Sequence, residues 1–307
     1  MYAASQSDFE IPACRTYTTP TCELSLARCA STSPPDQSTS RIADRYHLLG
    51  CLGRGGMGEV MLADDLLLGR PVAIKRSRTR EHDGPYGRKL RREARIAASV
   101  THRAIVQVFD VAHDDGTDHL VMELVAGSSL QRLVGRGPVD PAEVVSIAME
   151  LAGALALVHA RGVVHLDVKL ENVLMGLDGQ PKLTDFGIAR CAHEPDLLSE
   201  ELVGTPRIMS PEQIRGGAID ARSDLYSLGV LMFELLVARS PFSSETDLHT
   251  LARVLEQRAP RVDEVVPDVP RDLASLIAQL LEKDPLLRPQ RATEVQMRLL
   301  GIATAIE

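Results

Sequence analysis

Residues 164–174 have the sequence VHLDVKLENVL, and this stretch decides how the whole chain is interpreted. It brings Asp167, Lys169 and Asn172 within six positions of one another. At that spacing a carboxylate that takes a hydroxyl proton, a cation that meets a phosphate and an amide oxygen that binds a metal ion can converge in one loop. Downstream, a strand-like segment ends at Asp185, and Gly187 follows two residues later. A carboxylate before a glycine hinge is a good ligand for a hard metal ion.

A glycine-rich segment, LGRGGMGEV at residues 52–60, lies more than a hundred residues upstream. The Gly-x-Gly-x-x-Gly pattern alone is weak evidence, because dinucleotide-binding proteins share it. Here a strand-like segment follows the glycines instead of a helix, and Glu59 occupies the position of the Walker A lysine. A glycine loop between two strands can offer backbone N–H groups to phosphates. A plain glycine-rich hairpin fits this segment equally well.

Lys75 ends the apolar segment PVAIK at residues 71–75. Burying a lysine in a sheet is costly unless an anion meets it. Glu93, on a helix predicted over residues 86–99, is one candidate partner, and nucleotide phosphates are another. An exposed lysine and an ordinary helical glutamate remain the alternative.

The pattern along the chain predicts an α+β, two-lobed protein. Residues 46–124 indicate short strands with one helix, and Asp115-Gly116 is typical of a hairpin turn. Helical spacing dominates from Pro141, with Asp140 as N-cap and Gly162 as terminator. Asp178-Gly179 predicts a second hairpin. Further helices are expected at residues 223–237, 248–257, 273–283 and 292–303. We therefore expect a small β-rich lobe over residues 43–125 and a larger helical lobe over residues 126–303.

Residues 1–42 are interpreted as a disordered leader. Serine, threonine and proline make up 17 of the first 40 residues, so this stretch cannot bury enough apolar surface to offset its ordering entropy.

Composition excludes several classes of protein. The chain has 307 residues, 44% of them apolar, and a net charge of −8, which is ordinary for a globular protein. We expect no apolar run to approach the roughly 18 residues of a membrane span, and no secretory signal follows Met1. The five cysteines form no Cys-x-x-Cys pair, which favours reduced thiols and a cytoplasmic location.

Taken together, these segments resemble the eukaryotic-type protein kinase family, and their amino-acid sequences are most similar to those of its bacterial Ser/Thr members. The glycine loop, strand lysine, helix glutamate, catalytic loop and Asp-Phe-Gly occur in the family's order. The likeness continues through GTPRIMSPE at residues 204–212, SDLYSLG at 223–229 and DPLLRP at 284–289. It covers residues 46–300, which is nearly everything outside the leader.

The resemblance implies a bilobal kinase fold, ATP and Mg²⁺ as cofactors, and a role for each matching residue. Asp167 would accept the substrate hydroxyl proton, Lys169 would steady the γ-phosphate, and Asn172 and Asp185 would hold Mg²⁺. The residues implied to contact ATP, or to pair with those that do, are Leu52, Gly53, Arg54, Gly55, Gly56, Met57, Gly58, Glu59, Val60, Ala73, Lys75, Glu93, Met122, Glu123, Val125 and Leu174. Asp224 and a Glu212–Arg288 pair are implied to be structural.

Some residues depart from the family pattern. Leu166 replaces the arginine that receives an activation-loop phosphate, while Leu170 and Ile208 replace a proline and a tyrosine near the peptide-binding surface. Between residues 187 and 204 the only hydroxyl is on Ser199, where a phosphate would add about −1.5 to −2 charges among acidic neighbours. We therefore expect activation that does not depend on phosphorylation there, unless Arg190 takes over the missing arginine's role.

The expected function is transfer of the ATP γ-phosphoryl group to Ser/Thr hydroxyls of protein substrates, together with autophosphorylation. Lys169 and Thr205 match the Ser/Thr pattern, and Thr205 is expected to hydrogen-bond towards Asp167 and Lys169. The main alternative is a pseudokinase that binds nucleotide without transfer. A small-molecule phosphotransferase and a dinucleotide-dependent oxidoreductase fit less well.

Partners other than protein substrates are less defined by the sequence. Residues 70–103 carry eleven basic and three acidic side chains, and this basic face could bind an acidic regulatory protein or simply be solvated. Without interleaved aromatic residues, nucleic-acid binding is not expected. Oligomeric state does not follow from the sequence.

Overall fold

The computed structural model describes residues 41–55, 58–76, 85–187, 189–191 and 205–306. The α+β, two-lobed expectation is confirmed: an antiparallel sheet with one helix precedes a mainly helical region. Most of the predicted leader, together with Gly56, Met57, Ser199 and Gly204, lies outside the described residues.

The first lobe is a six-stranded antiparallel sheet in the order β1-β2-β3-β4-β6-β5. Its elements are β1 (Arg41–Ile42), β2 (Tyr46–Gly55), β3 (Gly58–Asp65), β4 (Arg70–Arg76), helix α1 (Pro85–Ala98), β5 (Val108–Asp114) and β6 (Thr117–Glu123). The glycine-rich segment spans the antiparallel pair β2–β3, with Gly55 opposite Gly58, and a strand follows the glycines, as predicted. The β5–β6 hairpin turns at Asp115 and Gly116, which both have positive φ, at 44° and 69°; this is the geometry that an Asp-Gly turn favours.

The first described strand includes two residues that the sequence assigned to the leader. β1 pairs Arg41 with His47 and Ile42 with Tyr46, so Arg41 and Ile42 do not belong to the leader. Ile42 is buried with Tyr46, Val72 and Ile74 on one face of the sheet. Its burial gives this short edge strand an apolar anchor.

The second lobe is built around two long helices, α3 (Pro141–Ala160) and α5 (Ala221–Val237). The other elements are β7 (Gly127–Ser129), α2 (Leu130–Val134), β8 (Val163–Val164), β9 (Val173–Gly176), β10 (Pro181–Leu183), β11 (Arg190–Cys191), α4 (Pro211–Ile214), α6 (Asp247–Glu256), α7 (Val262–Val265), α8 (Arg271–Leu280) and α9 (Ala292–Ile306). Asp140 caps α3 by accepting from Ala142 N at 2.8 Å. The last helix continues three residues past the predicted end of the domain at 303.

Helix α3 corrects one sequence expectation. By length and composition alone it is the one helix among the described residues that could cross a membrane. The expectation that no apolar stretch reaches that length was therefore wrong. Ten of its residues are buried, and it packs against α5 and α9. Packing at the centre of a helical lobe accounts for its apolar character.

Backbone contacts join the two lobes behind the cleft. Val106 N donates to Leu183 O at 2.9 Å, and Leu183 N donates to Ala104 O at 2.9 Å. The chain crosses to the second lobe at residues 124–127, where β7 pairs with β9. A Cβ on Gly127 would lie 1.9 Å from Met175 O, so only glycine fits at this crossing. The connection therefore fixes the β9–β10 hairpin against the end of the sheet.

Candidate active site

Lys75 lies on β4 and bridges two carboxylates from different parts of the fold. Its Nζ donates to both oxygens of Glu93 on α1, at 2.8 and 2.9 Å, and to Asp185 Oδ1 at 3.0 Å. Burial alone would lower the pKa of Lys75, but the two carboxylates raise it above its usual value. The lysine is therefore a permanent cation. Because Asp185 belongs to the second lobe, this cation also ties the lobes together.

The Asp167 carboxylate accepts three hydrogen bonds from two side chains of the loop between β8 and β9. Lys169 Nζ donates to both of its carboxylate oxygens at 2.8 Å, and Asn172 Nδ2 donates to Oδ2 at 2.7 Å. Lys169 also donates to Thr205 Oγ1 at 2.9 Å, which confirms the predicted hydrogen bond from the Thr205 loop. The carboxylate therefore has a fixed orientation next to a lysine and a threonine.

Asp224 on α5 holds the loop that carries Asp167 through hydrogen bonds to the backbone of that loop. This fully buried carboxylate accepts from His165 N at 2.8 Å, from Leu166 N at 2.7 Å and from His159 Nε2 at 2.8 Å. Burial alone would raise the pKa of Asp224, but its hydrogen bond with His159 and the nearby imidazoles lower it. The predicted structural role of Asp224 is thus matched by three hydrogen bonds.

The Lys75–Glu93–Asp185 group and the loop that carries Asp167 are joined by one backbone hydrogen bond and one ring contact. Thr184 N, next to Asp185, donates to Asn172 O at 2.9 Å. The His165 ring packs edge-on against Phe186 with centroids 4.6 Å apart. A side chain at position 187 would crowd the Asp185 carboxylate, since a Cβ on Gly187 would lie 2.8 Å from Asp185 Oδ1. Asp185 is thereby placed beside the catalytic loop and beside Lys75 at once.

An apolar pocket adjoins these polar groups. Ala73, Val106 and Met122 form a buried cluster against which Val60, Leu124, Val125 and Leu174 pack. Five of these seven residues, Val60, Ala73, Met122, Val125 and Leu174, are among those that the family resemblance implies to contact ATP. At its edge, Val125 N–H donates to no acceptor among the described residues. A flat apolar group with one hydrogen-bond acceptor at its rim would fit such a pocket.

Two oxygens in the polar group are left without hydrogen bonds. Asn172 uses its Nδ2 on Asp167, and Asp185 accepts only through Oδ1, so Asn172 Oδ1 and Asp185 Oδ2 accept nothing from the described residues. These are the hard oxygen ligands that Mg²⁺ prefers. Among the described residues, no group of three or more His, Cys, Asp or Glu side chains could hold a metal ion. A metal here would therefore need further oxygens from water or a phosphate, which is how Mg²⁺ is commonly bound.

Comparison with known proteins agrees with this geometry. The family described as "Protein kinase domain" matches residues 46–299. The chain belongs to the protein kinase family. The match spans both lobes and every motif quoted above.

Several bacterial kinases are similar in sequence. The serine/threonine-protein kinase PrkC of Bacillus subtilis is 36% identical over 259 residues, which cover 83% of this chain and 40% of PrkC. The serine/threonine-protein kinase pkn2 of Myxococcus xanthus is 38% identical over 276 residues, covering 85% of this chain and 33% of pkn2. PknL of Mycobacterium tuberculosis, also a serine/threonine-protein kinase, is 37% identical over 277 residues, covering 89% of this chain and 69% of PknL. The chain thus corresponds to two fifths or less of the first two relatives.

Two residues of the glycine loop pair with each other across the β2–β3 hairpin. Arg54 Nε lies 3.6 Å from Glu59 Oε1, and Glu59 Oε2 accepts from Arg76 at 3.0 Å. In this kinase structure the Glu59 carboxylate is therefore shared between two arginines. Leu52 is exposed, and the space that a Cβ on Gly53 would enter is open.

Sequence reasoning missed one network beside the catalytic loop. Arg207 Nη2 donates to both oxygens of Glu171 at 2.7 Å, and its Nε donates to Glu234 Oε1 at 3.1 Å. The available signal was Glu234 itself, a lone acid inside the apolar stretch at residues 229–238. A charge within an apolar helix is expensive unless it has a partner.

Proposed function

We propose that this chain is an active Ser/Thr protein kinase domain that transfers the γ-phosphoryl group of ATP to hydroxyls of protein substrates. The observation that carries the proposal is the convergence of Asp167, Lys169 and Thr205 on one side with the Lys75–Glu93–Asp185 group on the other. Each side chain has the chemical type that the reaction needs. A nucleotide-binding module without transfer would have no use for an oriented Asp167.

In the proposed reaction, Asp167 orients the acceptor hydroxyl and takes its proton. Its two oxygens are already held by Lys169 and Asn172, so little reorganisation is needed when a hydroxyl arrives. Lys169 would shift from the carboxylate towards the transferring phosphoryl group, where its charge offsets that on the phosphate oxygens. Its bond to Thr205 links the same lysine to the segment after the activation loop, which supports Ser/Thr acceptors.

The nucleotide would lie between the apolar pocket and the polar group. Val60, Ala73 and Leu174 would sandwich the adenine, Met122 would close the back, and the backbone of Glu123 and Val125 would offer hydrogen bonds to its edge. Lys75 would meet the α- and β-phosphates while still paired with Glu93. The glycine loop would cover the phosphates with its N–H groups.

A metal ion is needed on charge grounds. Three carboxylates, those of Glu93, Asp167 and Asp185, are balanced by three lysines, Lys75, Lys169 and Lys89. The site therefore has no excess positive charge to offset that of a bare triphosphate. We propose that Asn172 Oδ1 and Asp185 Oδ2 hold Mg²⁺, which when bound would offset phosphate charge. Lys75 keeps the pKa of Asp185 below its usual value, although burial alone would raise it, so this ligand is ionised.

We also propose that phosphorylation of Ser199 is not the main activating step. Residue 166 is a leucine, so it offers no guanidinium to a phosphate on the activation loop. Its side chain is buried, and its amide donates to Asp224. Ser199 and the Arg190 side chain lie outside the described residues. The supporting observation is that Asp167 and Lys169 are already oriented without a contact from residue 166.

The test is transfer of radiolabel from γ-labelled ATP to a generic basic protein and to the chain itself. Asp167→Asn should lower the rate by roughly 10²–10⁴ because it removes the proton acceptor. Asp263→Asn is the matched control: it makes the same chemical change in an exposed ion pair with Arg261, and it should keep the full rate. Mapping the labelled residues then identifies the acceptor hydroxyls.

Two results would contradict the proposal. Equal labelling by the wild type and Asp167→Asn would show that Asp167 is not the acceptor of the proton. ATP binding without any labelling would favour the pseudokinase alternative.

A further inference from the structure

The Arg207 network lies on the substrate-facing edge of the catalytic loop. Glu171 immediately precedes Asn172, and Arg207 lies two residues after Thr205, whose hydroxyl accepts from Lys169. Glu234 approaches from α5 and is the third member. The network is therefore beside the place where an acceptor peptide must lie for its hydroxyl to reach Asp167.

This network contains more negative charge than its own arginine balances. One guanidinium faces two carboxylates, so the group carries a net charge of −1 when both are ionised. The Glu234 side chain is only 4% exposed, and its Oε2 has no hydrogen-bond partner. Burial raises the pKa of Glu234, and Arg207 only partly opposes that effect. An unsatisfied buried carboxylate oxygen is costly, so this pocket holds an unused acceptor.

The pocket has the geometry of a binding site for a guanidinium group. Two carboxylates flank it: Glu234 is buried, and Glu171 is open to solvent, with a side chain that is 42% exposed. Arg207 enters with one edge: Nε and Nη2 make the three hydrogen bonds, and Nη1 makes none among the described residues. One planar guanidinium can thus be held between two carboxylates, because its N–H groups point in fixed directions.

We infer that Arg207 plugs a guanidinium-binding subsite of the acceptor groove, and that it thereby prevents the enzyme from selecting substrates with an arginine near the phosphoacceptor. The inference rests on the proposed function and concerns its specificity. While Arg207 is in place, an incoming arginine meets a like charge, and three of the four carboxylate oxygens already accept from Arg207. Without Arg207, the same peptide would meet two free carboxylates.

The competing explanation is that Arg207 is only a structural link between the catalytic loop, the segment after Thr205 and α5. The two explanations differ in what they predict for a pair of peptides. A structural link affects neutral and basic peptides alike. A plug affects the preference between them.

The experiment uses the full chain and two sets of peptides with one serine each. One set is neutral around the serine, and the other carries a single arginine scanned over the positions before it. The readouts are kcat/KM for each peptide and binding of the fluorescently labelled peptides by anisotropy. Arg207→Gln removes the charge while keeping a side chain of moderate length.

We expect Arg207→Gln to keep kcat on the neutral peptide and to raise the arginine-to-neutral ratio of kcat/KM about tenfold at one arginine position, the effect of one added charge-assisted hydrogen bond. Adding Glu171→Gln should remove most of that gain. Arg222→Gln breaks a similar pair with Asp220 on the surface and should leave the ratio at its wild-type value.

Three outcomes would overturn the inference. The first is an unchanged ratio in Arg207→Gln with normal activity on the neutral peptide, which leaves the proposed function standing. The second is equal loss on both peptides by a variant that still unfolds cooperatively, which would make Arg207 a structural link. If the wild type transfers no phosphate at all, the proposed function fails, and the anisotropy comparison alone decides. Equal affinity of the wild type and Arg207→Gln for the arginine peptides then rejects the plug.

Discussion

The buried pair between Arg288 and Glu212 gives the sharpest stability prediction. The Arg288 side chain is 0% exposed, and its two terminal nitrogens each donate to one oxygen of Glu212 at 2.8 Å. Arg288 Nε also donates to Glu282 O at 2.7 Å, and Ser223 Oγ donates to Glu212 at 2.7 Å. Breaking a buried pair by removing one partner costs about 3–5 kcal/mol. Replacing Arg288 by Met should therefore remove a large share of the roughly 5–15 kcal/mol that stabilises a domain.

The assay is urea unfolding, with the midpoint and slope measured for each variant. Arg288→Met should lower the midpoint strongly, and adding Glu212→Gln should recover part of the loss because no buried charge is then left unpaired. Arg261→Met is the control, since its pair with Asp263 lies on the surface and exposed pairs contribute little. A double variant less stable than Arg288→Met, or equal midpoints for Arg288→Met and Arg261→Met, would refute this reasoning.

The same variant predicts a change in pH dependence. In the wild type, burial alone would raise the pKa of Glu212, but Arg288 and Ser223 lower it below its usual value. The folded state then binds fewer protons than the unfolded state, so this carboxylate stabilises the fold above its usual pKa and loses that effect as the pH falls. Without Arg288, burial dominates and raises the pKa of Glu212. Its contribution should then become more favourable as the pH falls from 7, and a slope of unchanged sign would contradict the assignment.

Three further predictions follow from other parts of the domain. Lys75→Met should lower both turnover and the urea midpoint, because Glu93 is left buried without its partner; adding Glu93→Gln should restore the midpoint and not the turnover. Ser199→Ala should leave the initial rate of peptide phosphorylation nearly intact, and a large loss would reinstate the activation loop as the switch. Lys283 lies 4.0 Å from the centroid of the Phe242 ring, and burial together with nearby arginines lowers its pKa to about 8. Of the five lysines, it should be acylated fastest at pH 8, as measured by mass spectrometry.

The sequence was most informative where local physics decides the structure. The Asp115-Gly116 turn was predictable because its positive φ angles belong to those residue types, and the start of α3 was predictable from Asp140 and Pro141. The Lys75–Glu93 pair was also within reach, since a lysine at the end of an apolar strand needs an anion. In each case a single residue type required a particular local structure: a turn with positive φ, a helix start, or an anion beside a buried lysine.

Other features depended on tertiary distance and were missed. Arg207 meets Glu171 and Glu234 from 36 and 27 positions away in sequence, and no local pattern connects them. The apolar length of α3 was likewise underestimated. Glu143 and Glu150 interrupt its apolar sequence, but the helix still buries ten residues. The pairing of Arg54 with Glu59 also follows from the register of β2 and β3, which the glycine pattern does not reveal.

The absence of an arginine at position 166 can be weighed from the backbone around it. Leu166 and Asp185 both have φ of 67°, a left-handed conformation that costs a non-glycine residue about 1–2 kcal/mol. Asp224 holds Leu166 through its amide at 2.7 Å, and Gly187 N and Lys75 hold Asp185. Both supports act on the backbone or the carboxylate, and neither uses the side chain of residue 166. Asp167 and Asp185 are thus positioned by buried partners that the chain retains, which is what the proposed independence from Ser199 phosphorylation requires.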